Sequence, residues 1–308
     1  MSFGKQCETG SVESLERVRA ALGEAVRSRI TGPDREQRAH ELFDQTGPRW
    51  FDDDRPVRIV HSDASMFIGG LSALLLQTLH PLAMAGVAQH SDYRHDPWGR
   101  LQRTADFLAA TTFGPATEAQ RAIDRVRSVH QRVTGVADDG RPYAANDPHL
   151  LRWVHVAEVR SFLAAHTRFG SVRLTAEQRD GYVADMAHIA SALGVPAPPR
   201  SARGLADQLR AFRPELQATP EAHQAVKFLL WDPPLEAVAR PFYGVLAAAA
   251  VSLLPTWARR QLRIVGPPVV ERLTIQPAGL ALTRLLAWAA PPPNRDDALD
   301  PARSTSAS

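Results

Sequence analysis

Between Asp63 and Asp92 the chain carries no charged side chain, and the stretch from His61 to His90, HSDASMFIGGLSALLLQTLHPLAMAGVAQH, is rich in Leu, Ala and Gly. Crossing a bilayer takes about 20 uninterrupted apolar residues. Here Gln77, His80 and Pro81 interrupt the run, so the expectation is a helical hairpin buried in a protein core. Pro81 has no amide hydrogen to donate, and its ring pushes the preceding residue out of helical geometry, which predicts a break at His80. Gly69, Gly70 and Gly86 would let another helix or a flat ligand approach the backbone closely.

The rest of the chain supplies partners for such a core. Heptad-like spacing of Leu15, Val18, Leu22 and Val26 predicts an amphipathic helix in SVESLERVRAALGEAVRSRI, stopped by Gly32 and Pro33. DREQRAHELFDQT is a second short helix, and this N-terminal part is expected to lie over the core as an outer layer. Further helices are expected in HLLRWVHVAEVRSFLAAHTRF after the cap-plus-proline pair Asp147-Pro148, in LTAEQRDGYVADMAHIASALG, LADQLRAFRPEL, PEAHQAVKFLLW, RPFYGVLAAAAVSLLP and LTRLLAWAA. No period-2 strand pattern of useful length and no internal repeat interrupts this series. The fold class is therefore all-α, a single large helical domain over residues 11–290 with disordered ends at 1–10 and 291–308, and with a buried central helix pair.

Charge narrows the partners. The 36 basic residues nearly balance 33 acidic ones. All but Lys5 and Lys227 of the basic set are arginines interleaved with Asp and Glu, so no basic block for nucleic acid exists. The single cysteine, Cys7, excludes an intramolecular disulfide framework and a cysteine zinc cluster. No secretory signal pattern opens the chain, and a cytoplasmic protein is expected. Arg240 and Arg259 flank an apolar segment in a way that suits a core helix or peripheral contact with a membrane.

The chemistry-bearing residues concentrate between Asp92 and Gly135. Asp96-Pro97 opens a helix to about Thr112, with Leu101, Phe107 and Leu108 as core residues and Arg100, Arg103 and Thr104 at i, i+3 and i+4 on one face. Phe113-Gly114-Pro115 ends it. Thr117 with Gln120 reads as a capping box for a second helix, on which Ile123, Val126, Val129, His130 and Val133 share an apolar face. His130 is then a hydrogen-bonded core histidine or a metal ligand. One helix imidazole is enough for a haem iron but not for zinc or non-haem iron. His80 is a cap on helix carbonyls or a second ligand. His155 and Glu158 have the i, i+3 spacing of bundle metal sites, but matching Glu-x-x-His sets are absent. The remaining histidines show no metalloprotease spacing, and the dinucleotide, P-loop and serine-hydrolase signatures are missing.

In order, LLLQTLHPLAMAGVAQHS, DPWGRLQRT, FG, VRSVHQRVTG and YAANDPHLLRWVH resemble the helical catalytic domain shared by the latex-clearing rubber oxygenases and the MpaB-type oxygenases. The resemblance is close over about residues 55 to 170 and looser in the C-terminal third. It implies a b-type haem with His130 as proximal iron ligand, and a distal row at Arg100, Arg103 and Thr104, of which Arg103 and Thr104 would polarise O2 as co-substrate. Arg100 would hold a propionate, and His80 and His155 are further candidates for contact with the cofactor. In the rubber-cleaving enzymes the row reads Arg-x-x-Lys-Thr; this chain has Arg103 in the lysine position, and PLAMAGVAQH offers no counterpart to their distal acidic residue. The implied activity is thus haem-dependent oxygenation of a small apolar substrate, isoprenoid-like or aromatic, rather than cleavage of rubber. The rival readings are a non-catalytic haem or hydrophobic-ligand carrier and a purely structural helical protein.

Overall fold

A computed structural model describes residues 47–264, 266 and 270–289. The two helices expected before residue 47, Cys7 and the tail after Pro291 lie outside the described residues. Within them the chain is all-α. Twelve α-helices form it: α1 (Pro56–His61), α2 (Met66–Gln77), α3 (Pro81–His90), α4 (Pro97–Phe113), α5 (Ala116–His130), α6 (Pro148–Phe169), α7 (Ala176–Leu193), α8 (Ala202–Phe212), α9 (Pro220–Leu230), α10 (Arg240–Leu253), α11 (Thr256–Gln261) and α12 (Gln276–Ala289).

The uncharged run behaves as its composition dictates. Apolar on all sides, α2 buries Ile68, Leu71, Leu75 and Leu76, and it packs most extensively along α6. The central buried pair is therefore α2 and α6, and the 22-residue α6 sinks Trp153, Val156, Ala157, Val159, Phe162, Ala165 and Phe169 into the same core. Gly69 sets the spacing of the two axes, since a Cβ there would lie 2.7 Å from Phe162 Cδ1 and 3.1 Å from the Phe162 Cα. At His80-Pro81 the chain bends by 106° between α2 and α3. Carbonyls freed at the bend find other donors: Trp153 Nε1 reaches Gln77 O at 3.2 Å and the Gln217 amide reaches Leu79 O at 2.8 Å. Among the described residues no single helix is long and apolar enough to cross a membrane; α2 and α3 reach that threshold only as a bent pair.

Two sequence expectations change. The loop after α5 contains a short antiparallel pair, β1 (Thr134–Val136) with β2 (Pro142–Ala144), in the register Thr134↔Ala144, Gly135↔Tyr143 and Val136↔Pro142. Three-residue strands are too short to show alternation, and this pair is held by α3 instead: Tyr143 OH donates to Gln89 Oε1 at 2.6 Å, and Gln89 Nε2 donates to Val136 O at 2.9 Å. Nor is α5 capped by Thr117. Its N-cap is Pro115, without a side-chain cap, because the Ala116 amide donates to Pro48 O at 2.8 Å. A long-range partner has taken the capping role. Farther on, α7 has a complete capping box between Thr175 and Gln178 and ends at Gly194 in the left-handed region, φ 101°.

Candidate functional site

α4 and α5 form a tight antiparallel hairpin around Gly114-Pro115, and its buried side chains gather at the turn. Thr111 and Thr112 on α4, with Ala119, Ala122 and Ile123 on α5, are enclosed. Toward the other end the apolar stripe comes out of the core: Leu101 is 39% and Val129 44% exposed, against the sequence expectation that both face inward. At about 1.5 Å rise per residue, Arg100 and His130 each stand roughly 20 Å from the turn, at the same open end.

Hydrogen bonds tie that end together. Arg100 Nη1 donates to Ser91 Oγ at 2.9 Å, and Ser91 is the C-cap of α3. The neighbouring His90 Nε2 lies 3.1 Å from Thr134 O, four residues past His130. The C-terminal end of α3 thus sits between the Arg100 and His130 segments. Arg100 is half-buried, and burial pulls its guanidinium pKa below the ordinary value. Arg103 is exposed and pairs with Asp96 Oδ2 at 3.2 Å, and the Thr104 hydroxyl donates to Arg100 O at 3.0 Å. His130, half-buried at the last position of α5, makes no side-chain hydrogen bond or ion pair with the described residues, and burial lowers its pKa, which keeps the ring neutral at pH 7.

The other two histidines lie elsewhere. His80 is the N-cap of α3, the opposite end from Ser91 and roughly 15 Å away along the helix. Its Nδ1 accepts from the Ala83 amide at 3.5 Å, and its buried Nε2 has no hydrogen-bond partner. His155 is buried in α6 with Nε2 likewise unpartnered, and desolvation brings its pKa down to about 4. No bond links either to the Arg100 row.

Sequence reasoning missed a polar cluster inside the core. His61 Nδ1 lies 2.8 Å from Thr112 Oγ1 and its Nε2 3.4 Å from Tyr182 OH, so α1, α4 and α7 meet at one imidazole whose pKa burial holds at about 3. Glu158, the residue at i+3 from His155, is pushed up to about 7 by desolvation. Burial first, then the charges of Glu158 and Asp185, raises the Tyr182 hydroxyl well above 10. His61 is 51 residues from Thr112 and 121 from Tyr182, so no local signal announced the cluster.

An all-helical domain with an open, basic and apolar helix-hairpin end is the class that the fold defines. The family described as ER-bound oxygenase mpaB/B'/Rubber oxygenase, catalytic domain, matches residues 57–290. The chain belongs to that family of oxygenase catalytic domains. No curated protein and no solved structure matches it.

Proposed function

We propose that this chain is a haem-dependent oxygenase that uses O2 on a small apolar substrate, isoprenoid-like or aromatic, and that His130 would hold the haem iron. The observation that carries the reading is His130 itself: a neutral, half-buried imidazole with no partner among the described residues, at a helix end where apolar surface is left uncovered. Holding a haem iron would take one neutral imidazole nitrogen. The surroundings fit the rest of the group. Leu101 and Val129 offer apolar contact to a flat macrocycle, and half-buried Arg100, bonded to a neutral hydroxyl, can form a charge-assisted bond to a propionate.

When bound, haem iron supplies the activation of O2 that amino-acid side chains lack. The protein's part is polarity and orientation. Arg103 stays protonated and cannot ligate iron as a neutral amine would, so it acts as a fixed cation and donor once it swings from Asp96. Thr104 can donate to a ligand only by releasing Arg100 O, which makes its hydroxyl a switchable donor.

The test is the absorption spectrum of the full chain reconstituted with haem, beside His130→Ala, followed by O2 uptake with apolar alkenes and aromatics. A one-to-one Soret band that His130→Ala weakens or shifts is expected, with substrate-dependent O2 consumption. A wild type that takes up no haem ends the cofactor assignment, and an unchanged band in His130→Ala ends the ligand assignment. Haem binding without substrate-dependent uptake would identify a carrier instead.

A further inference from the structure

We infer that His80, His149 and Glu215 form a binding site for one borderline divalent cation, zinc(II) foremost, away from the His130 end of the fold. Three segments far apart in sequence meet here. His80 is the N-cap of α3, His149 is the second residue of α6, and Glu215 closes the 3-10 turn Arg213–Glu215 that follows α8. His149 Nε2 lies 2.6 Å and His80 Nε2 3.7 Å from the same Glu215 oxygen, and the three ligand atoms all fall within 4.8 Å of one another.

Two observations point to a ligand rather than to a surface cluster. First, His80 is 2% exposed, and its Nε2, aimed at the carboxylate, has no hydrogen-bond partner. A buried nitrogen whose nearest acceptor is a carboxylate oxygen 3.7 Å away, beyond hydrogen-bond reach, is a standing cost that a metal would remove. Second, the walls are aromatic: Trp153 and Phe212 lie 6.1 and 6.5 Å from the His80 ring, and Phe212 lies 4.8 Å from that of His149. An apolar shell of this kind strengthens ligation by excluding water from one side.

Geometry and donor chemistry then choose the ion. Tetrahedral zinc with bonds near 2.0–2.1 Å holds its ligand atoms roughly 3.3 Å apart. The existing separations need adjustments of about 1 Å, and His149 and Glu215, 48% and 42% exposed, are free to make them around a fixed His80. Two imidazoles and one carboxylate suit zinc, cobalt or nickel, whereas calcium and magnesium select oxygen donors. Three protein ligands leave a position for water. Ligation through His80 Nε2 requires the proton on Nδ1, so the metal replaces the long cap from Ala83 rather than adding to it. Arg141 is the nearby opposing charge, and its Nε and a terminal nitrogen both donate to Asp139 Oδ2, at 2.9 and 2.7 Å.

The experiment is zinc titration of the chelator-stripped full chain by calorimetry, with cobalt(II) absorption as a second readout. One zinc per chain is expected, with at least a tenfold loss of affinity in His149→Ala and in Glu215→Gln, and with visible cobalt bands of a four- or five-coordinate ion that both variants lose. His95→Ala, at an exposed histidine elsewhere, and His130→Ala should titrate as wild type. Both ligand variants are at half-exposed positions, and unchanged far-ultraviolet circular dichroism confirms their fold. Wild-type affinity in either of them, no zinc uptake by the wild type, or equal loss in His95→Ala would overturn the site.

Discussion

Gly69 on α2 faces Phe162 on α6 at a distance that leaves no room for a methyl group: a Cβ would lie 2.7 Å from the ring and 3.1 Å from the Phe162 backbone. The contact joins the two helices that form the centre of the core, and the backbone side of it cannot yield. Gly69→Ala gains about 1 kcal/mol of helix propensity, but overpacking a tight core costs about 1–3 kcal/mol and moves backbone. A net loss of up to about 2 kcal/mol is expected in urea unfolding. Gly70→Ala, whose Cβ would meet Phe162 at an ordinary 3.8 Å, should be neutral or slightly stabilising. Equal effects at the two positions would contradict the close approach.

Burial of Glu158 gives stability an unusual slope near neutrality. Its folded pKa of about 7 lies above the ordinary 4.5, so between those values the folded state holds more protons, and stability falls as pH rises. His61 and His155 act the other way. Their folded values of about 3 and about 4 lie below 6.5, so the stability each contributes is complete above pH 6.5 and is lost as pH falls toward the folded value. The two histidines outweigh Glu158, so together the three let stability rise with pH and level off near pH 7. Glu158→Gln should remove this opposing contribution, so that stability climbs more steeply between about pH 5 and 7 and the variant is on the order of 2 kcal/mol more stable than wild type at pH 8. Thermal unfolding from pH 4 to 9 measures it, and wild-type and Glu158→Gln profiles that run parallel would exclude a buried, protonated Glu158.

How much of this the sequence shows depends on range. Asp96-Pro97, Asp147-Pro148 and His80-Pro81 mark helix starts or a break correctly, because a cap and a fixed proline φ act within four residues. The apolar run before Asp92 reads as core for the same reason, since its burial needs no particular partner. Thr117 misleads because Pro48, 68 residues before Ala116, supplies the acceptor for the Ala116 amide that ends the need for a cap. Val129 and Leu101 mislead because periodicity gives the face of a helix but not how far along that face the core extends. His149 and Glu215 have no local pattern at all; only the fold brings residues 66 apart into contact.

Removing the Gln89 anchor should loosen the hairpin behind His130 without unfolding the core. Gln89 accepts from Tyr143 OH and donates to Val136 O, and a Cβ on Gly135 would lie within 2.8 Å of Gln89 Oε1 and closer still to the Tyr143 hydroxyl. Gln89→Ala gives up two partly exposed bonds, about 1–2 kcal/mol. Hydrogen exchange should speed up in Thr134–Ala144 while α2 and α6 stay protected. Uniform deprotection across the core would contradict a local role.

Asp185 and Arg55 fasten α7 to the start of α1 and provide the sharpest test of the buried electrostatics. The Asp185 side chain is 2% exposed; it accepts from Arg55 Nε at 3.0 Å, from an Arg55 terminal nitrogen, and from the Val57 amide at 3.3 Å. Orphaning a fully buried charge costs about 3–5 kcal/mol. Because Arg55 is 44% exposed, water can take over part of its role, and Arg55→Ala should lose about 2 kcal/mol. Asp185→Asn keeps acceptor and shape while dropping the charge, so it should lose less, about 1 kcal/mol. In the double variant the buried carboxylate is gone, and Arg55→Ala should then cost under half of its value in the wild type. A double-mutant cycle in urea decides the point, and full additivity of the two substitutions would show that the pair contributes nothing beyond its separate contacts.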